Sequence, residues 1–247
     1  MPPFTADALL SDFIMAYQFD FLAVFDYSGT LLQGAAVTLA LTAIGALAGG
    51  TIGILGGVCR AWRIAPLSWF FGVYIELIRN TPFLVQLLFI FFGLPSLGVQ
   101  IDEWQASVLT MVINLGAYIS EIVRAGIKET PRGQLEAAAA LAMSRFATFR
   151  HVVLRPALQK VWPALTSQII IVMLGSAVVS QIAAEDLTFA ANFIQSRNFR
   201  ALETYLIVTL MYFALALMLR QLLLWIGNRW IINRPTPKAA PTQGVRA

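Results

Sequence analysis

The feature that most constrains this chain is the recurrence of long apolar runs, at about 31–58, 106–123, 161–182 and 205–226. Each approaches or exceeds the roughly 20 residues that a helix needs to cross a hydrocarbon core. Lipid offers no partner to an exposed backbone N–H or C=O, so runs of this length are helices. Composition agrees, because 58% hydrophobic against 12% charged residues and a mean hydropathy of +0.73 belong to an integral membrane protein. No basic amino-terminal stretch followed by a short apolar run and a small-residue cleavage site occurs, so no signal peptide is expected. The single cysteine, Cys59, cannot form an internal disulfide and reads as small apolar filler. The net charge of +4 is dispersed among the connectors, so it reports topology and no nucleic-acid partner is expected.

A further crossing is assembled from pieces. Pro66 opens a segment with Trp69, Tyr74, Glu76 and Arg79 that reads as interfacial or half-buried. At Arg79-Asn-Thr-Pro82, Thr81 can cap a new helix and Pro82 can open it, the helix reaching about Gly93-Leu-Pro95. That helix is too short to span alone, so its predecessor has to supply part of the crossing, with a break or kink near Thr81. In the first span Gly45, Gly49, Gly53 and Gly57 form a stripe at i+4 spacing that lets another helix backbone approach closely; the general abundance of glycine in membrane helices is the alternative.

Charge sets the orientation. Residues 1–28 hold Asp7, Asp12, Asp20 and Asp26 with no Lys or Arg, and their aromatics, from Phe4 to Tyr27, fit the outer interface. With the amino terminus outside and five crossings, only Arg197 and Arg200 of the 17 Lys and Arg fall on the outer side. The expectation is an all-α membrane protein with five transmembrane helices and one domain over 1–247. Within it lie an extracytoplasmic or interfacial segment over 1–30, a cytoplasmic loop over 125–160, an amphipathic, partly re-entrant outer surface segment over 183–203, and a basic cytoplasmic tail over 228–247.

Polar residues at membrane depth face protein or water, and they mark candidate pathways. Asn114, Tyr118 and Glu121, at i, i+4 and i+7, share a helix face. Glu121 sits near the cytoplasmic end, where it can line the pathway or pair with Arg124 or another loop cation. Ser176 and Ser180, as i, i+4 neighbours, can offer hydroxyls to a polar solute or bond the preceding turn. Gln86 joins these as a lining candidate. No metal-ligand cluster or catalytic triad is visible, and the only histidine, His151, has no evident partner and reads as a surface residue. No G-x-x-x-x-G-K-[S/T] phosphate loop occurs, so this chain is not expected to hydrolyse ATP.

Gly133 to Pro156 is helical in pattern yet not lipid-soluble. Arg132, Arg145, Arg150 and Arg155, at or within its borders, would each cost roughly 2.5–3.5 kcal/mol at the bilayer centre, so the stretch lies outside it. Glu136 to Leu141 favours helix, and Ser144 can cap a second short helix through Phe146 and Phe149, giving a docking knob between two spans.

At Gly133-Gln134-x-Glu136-Ala137-Ala138 the chain resembles the inner-membrane permease subunits of type I ABC importers, in their polar amino acid family. The resemblance extends to Arg79-Asn-Thr-Pro82 with Gln86 and Gly93-Leu-Pro95, and to Ala117-Tyr-Ile-Ser-Glu121 with Arg124-Ala-Gly-Ile127. It implies that Glu136 to Ala142 is a coupling helix seated in a groove of a separate ATPase subunit. Glu136 would anchor it by a charge-assisted hydrogen bond, Ala137 and Ala138 would permit close approach, and Ser144, Arg145 and Phe149 would flank it. The implied partners are two ATP-binding subunits, a second permease chain, identical or homologous, and an extracytoplasmic solute-binding protein docking near Asp102 and residues 185–200. The implied place is the bacterial inner membrane, in contact with lipid, and the implied cargo a polar amino acid. No cofactor is expected on this chain, ATP and Mg being held by the ATPase.

Three departures from the family pattern stand out. Ala142 occupies a position where the family usually has Gly, and a left-handed conformation there would cost Ala about 1–2 kcal/mol unless the turn differs or Met143-Ser144 absorbs the bend. Leu154-Arg155-Pro156 displaces a proline by one, and Leu174-Gly-Ser-Ala177 stands where many relatives carry Lys-Asp-Thr-Ser. The rival readings are a secondary transporter or channel subunit driven by an ion gradient, which needs an intramembrane acid or base, and an intramembrane enzyme, which needs a nucleophile beside a base.

Overall fold

A capping box starts the helix around which the other spans pack. Asp102 Oδ1 accepts from the Gln105 backbone N–H at 2.7 Å, and the Gln105 side chain returns the bond to the Asp102 N–H. The structure, a computed structural model, describes residues 18–231 and contains no strand among them. The expected features on Phe4 to Tyr17 and on the tail with Arg234, Lys238 and Arg246 lie outside the described residues. After a single turn at Leu22–Phe25, the helices are α1 (Ser28–Ala61), α2 (Leu67–Arg79), α3 (Phe83–Ser96), α4 (Glu103–Lys128), α5 (Arg132–Ala140), α6 (Arg145–Ile182), α7 (Leu187–Asn198) and α8 (Ala201–Ile231). Helix α4 carries the capping box and packs against α1, α2, α3 and α6.

The glycine stripe meets α4. A Cβ on Gly49 would stand 2.8 Å from the Val112 carbonyl oxygen, one on Gly53 2.5 Å from Ile119 Cβ, and one on Gly57 2.7 Å from the Ser120 oxygen. Only glycine permits this approach, which brings two backbones together where lipid supplies no hydrophobic drive for association. The pairing also fixes direction. Gly45 faces Met111 and Gly57 faces Val123, so α1 and α4 run parallel and the chain between them has to cross back.

That return crossing is the bent pair α2 and α3, which turns through 108° at its break. The kink lies where Pro82 places it, but with two corrections. The new helix begins at Phe83 with Pro82 as its N-cap, and Thr81 caps nothing there; its hydroxyl instead donates back to the Leu77 carbonyl at 2.9 Å. Helix α2, expected as interfacial or half-buried, is half-buried: Ile75 is enclosed while Trp69 and Phe70 are exposed. It packs along α1 and α4, with the Tyr74 hydroxyl donating to the Ile113 carbonyl and Phe71 filling the space above Gly56.

Helix α6 returns antiparallel to α4, with Gly126 against Ala157 and Val161. Its α-helical body is preceded by a π-turn, Thr148–Leu154, and the displaced Pro156 follows that turn, with Leu154 and Arg155 before it still helical. Helix α8 is antiparallel to α6: Trp162 Nε1 donates to the Leu223 carbonyl at 3.0 Å, and Gln159 to the Ile231 carbonyl at 2.7 Å. These directions give five crossings and gather Arg60, Lys128 and Arg145 at one end.

At the opposite end, α7 is not the surface segment its amphipathic composition predicts. Leu187, Ala190, Ala191 and Ile194 are buried among Leu31, Val208 and Leu215. The close approach depends on Gly34, where a Cβ would stand 2.8 Å from the Asp186 carbonyl oxygen. Asp186, wholly buried, caps α7 through the Phe189 N–H and accepts from the Tyr212 hydroxyl, so one carboxylate ties α7 to α8.

Candidate transport pathway and coupling loop

The helix break creates a chemical problem at membrane depth, because the last carbonyls of α2 lose their helical partners. Gln86 answers it. Its Nε2 reaches the Ile78 carbonyl at 2.8 Å and the carbonyl and hydroxyl of Thr81 at 3.0 and 2.9 Å, while its Oε1 accepts from Asn114 Nδ2 at 2.9 Å. The structure therefore brings Gln86 and Asn114 together, with the Gln86 amide committed to holding the bend. Tyr118, one turn below Asn114, carries the Arg79 guanidinium 5.5 Å above its ring centroid.

Sequence reasoning passed over Glu76, Arg79 and Asn80, all exposed beside this break. Neither Glu76 nor Arg79 enters an ion pair among the described residues; Glu76 only accepts from the Asn80 amide, at 3.3 Å. The signal was present, since two opposite charges precede a proline inside a crossing.

The other pathway candidates go elsewhere. Glu121 binds Arg60 at 3.1 Å and also Arg124, clamping the ends of α1 and α4. Ser176 and Ser180 lie on a 3₁₀ segment, Ser176–Ile182, in which four residues turn through more than a full circle and leave the pair roughly 120° apart. They do not share a face as an α-helix would require. Ser176 is buried and donates to the Met173 carbonyl, and Ser180 donates to the Ala177 carbonyl.

The helix expected over Glu136 to Ala142 is α5, which begins at Arg132 and ends at Ala140. It closes in a Schellman turn, with the Met143 N–H on the Ala138 carbonyl and the Ala142 N–H on the Ala139 carbonyl. Ala142 stands at φ 50°, so the left-handed turn is kept with Ala in the place of Gly. Ser144 caps the next turn by accepting from the Ala147 N–H. Glu136 and Ala137 are exposed, whereas Ala138 is 3% exposed and faces the rest of the chain, so it is not available for a docking surface. Phe149 likewise turns inward, edge-on to Trp62 at 4.2 Å, and Arg145 lines the cleft beside it. Leu141 and Phe146, 76% and 70% exposed, are the apolar tips of the loop that alanine-rich patterning left unmarked. His151 is exposed.

Residues 49–232 match the model of a family described as the binding-protein-dependent transport system inner membrane component. The glutamine transport system permease protein GlnP of Escherichia coli (strain K12) is 37% identical over 214 residues, covering 86% of this chain and 98% of that protein. The arginine transport system permease protein ArtQ of Bacillus subtilis (strain 168) is 34% identical over 201 residues, 81% and 92% of the two chains. A crystal structure of an amino acid ABC transporter with histidines superposes with a TM-score of 0.79 at 37% identity, over 86% of this chain and 100% of that one. The MetNI methionine ABC transporter shares the fold, with a TM-score of 0.64 at 23% identity over 82% and 94%.

Proposed function

This chain belongs to the family of binding-protein-dependent transport system inner membrane components, and from that premise we propose that it is the permease subunit of an ATP-driven importer of polar amino acids. Its relatives named for glutamine and arginine transport, and the amino acid transporter of the same fold, support that cargo class. The observation that carries the reading is the helix break, where Glu76 and Arg79 are exposed beside Tyr118 and Asn114 with no ion pair between them. An α-amino acid is a zwitterion: its carboxylate matches the Arg79 fork and its ammonium matches Glu76, each contact being charge-assisted. Gln86 holds the bend that presents both groups.

Coupling runs through α5. Glu136 anchors the helix on a separate ATP-hydrolysing subunit, with Ala137, Leu141 and Phe146 against the groove wall. Two such subunits and a second permease chain, identical or homologous, complete the transporter. A solute-binding protein docks on the outer face near Asp102 and the exposed members of residues 185–200, Glu185, Ser196, Arg197 and Phe199 among them, and the transporter sits in the bacterial inner membrane. Closure of the ATPases moves the two loops as rigid bodies and tilts the spans between outward and inward access. ATP and Mg stay with the ATPase. Glu121, the acid that the ion-gradient reading would use, is held by Arg60 and Arg124.

Binding of labelled glutamine and arginine to the detergent-purified transporter, assembled with its ATPase, tests the cargo site. Arg79→Gln and Glu76→Gln should each weaken binding of the better ligand by roughly tenfold or more. Undiminished binding in both variants would refute the site.

A further inference from the structure

The cytoplasmic ends of α1 and α4, with the start of α6, enclose a cleft of about 630 Å³ beneath the coupling helix. Its walls include Trp62, Phe149 and Met143, and Lys128, Arg132 and Arg145 enter it from three different segments of the chain. None of the three cations makes an ion pair among the described residues, and the nearby Glu129 carboxylate is taken by Lys160. Like charges gathered around one cleft repel unless an anion sits between them.

Position and wall chemistry decide which anion. Trp62, 44% exposed and flanked by Arg60 and Arg63, marks the headgroup level of the cytoplasmic leaflet. A free hydrated anion would gain nothing from the Trp62, Phe149 and Met143 walls, whereas a lipid brings a phosphate and an apolar stem together. We propose that the cleft binds an anionic phospholipid of the cytoplasmic leaflet, its phosphate between Lys128, Arg132 and Arg145 and its glycerol and upper acyl chain against Trp62 and Phe149. The lipid ties the base of the coupling helix to the bilayer. This assignment depends only on the membrane fold and is independent of the cargo and of the ATPase contact.

Native mass spectrometry of the full-length chain, released from micelles doped with phosphatidylglycerol or phosphatidylcholine, tests it. The wild type should retain phosphatidylglycerol roughly tenfold or more over phosphatidylcholine, and K128Q/R132Q should bring that preference to near unity. Arg145→Gln serves as a second cleft variant should the double variant not fold, and it should reduce the preference several-fold. R220Q/R229Q, which removes two cations outside the cleft, should leave it intact. Equal retention of the two lipids by the wild type, or equal loss in the R220Q/R229Q control, would overturn the proposal. Displacement of phosphatidylglycerol by millimolar glycerol phosphate would also overturn it, by identifying a site for the free anion.

Discussion

Ala142 shows how one residue can be out of place chemically while the backbone keeps its course. The Schellman bonds from Ala142 and Met143 hold the left-handed turn, and a Cβ at φ 50° is strained against the following carbonyl. Ala142→Gly should therefore raise stability by roughly 1 kcal/mol, read as a higher thermal unfolding midpoint, partly offset by the greater freedom of glycine when unfolded. Asp186 is a second residue whose environment works against its preferred state. Burial lifts its carboxyl from the ordinary 3.8 to about 6, although the Phe189 N–H and the Tyr212 hydroxyl pull the other way. A raised pKa means that the folded chain holds the proton more tightly than the unfolded one. The associated stability is thus full below about pH 4 and is lost as pH rises through about 6, an effect on the order of 2–3 kcal/mol. Melting curves should show the midpoint falling across that window in the wild type, and a flat profile over the same window in Asp186→Asn.

Among the elements, what could be read in the sequence is what depends on local spacing. The i+4 glycine stripe requires a close neighbour whatever that neighbour is, and Pro82 requires a break. The neighbour's identity was not legible, nor was the 108° turn, because both depend on residues far along the chain: Ile119 and Ser120 for the stripe, Gln86 and Asn114 for the bend. The same limit explains α7 and the serines. Its amphipathic pattern reads as a surface helix until Gly34 admits it between α1 and α8, and Ser176 and Ser180 share a face only if their segment is α-helical. Gly53→Ala tests the stripe. A Cβ 2.5 Å from Ile119 should destabilise the protein by about 1–3 kcal/mol, measured by thermal unfolding. The same change at Gly29, where nothing lies within 4 Å, should cost no stability.

For the molecule as a whole, the charged connectors and the packing of the helices agree on five alternating spans by independent routes. Positive residues orient the spans, and the pairings of α1 with α4, α4 with α6 and α6 with α8 fix their directions. That the 133–156 loop lies outside the spans was legible because lipid excludes its arginines. Which face of α5 is free was not, since Ala137 and Ala138 are indistinguishable in sequence, yet Ala137 is exposed and Ala138 buried in the fold. Glu136→Lys should leave the unfolding midpoint within about 0.5 kcal/mol of the wild type, as for an exposed site, while co-purification of the ATPase falls by about tenfold or more. Retention of the ATPase at the wild-type level would place the anchor elsewhere on the loop. The central claim is that this chain turns the work of a separate ATPase into movement of an amino acid, and uptake into proteoliposomes carrying the complete transporter tests it most directly. With ion gradients dissipated and ATP retained, uptake of labelled glutamine or arginine should continue in the wild type and cease in Glu136→Lys; uptake that collapses with the gradients, or that survives Glu136→Lys undiminished, would contradict it.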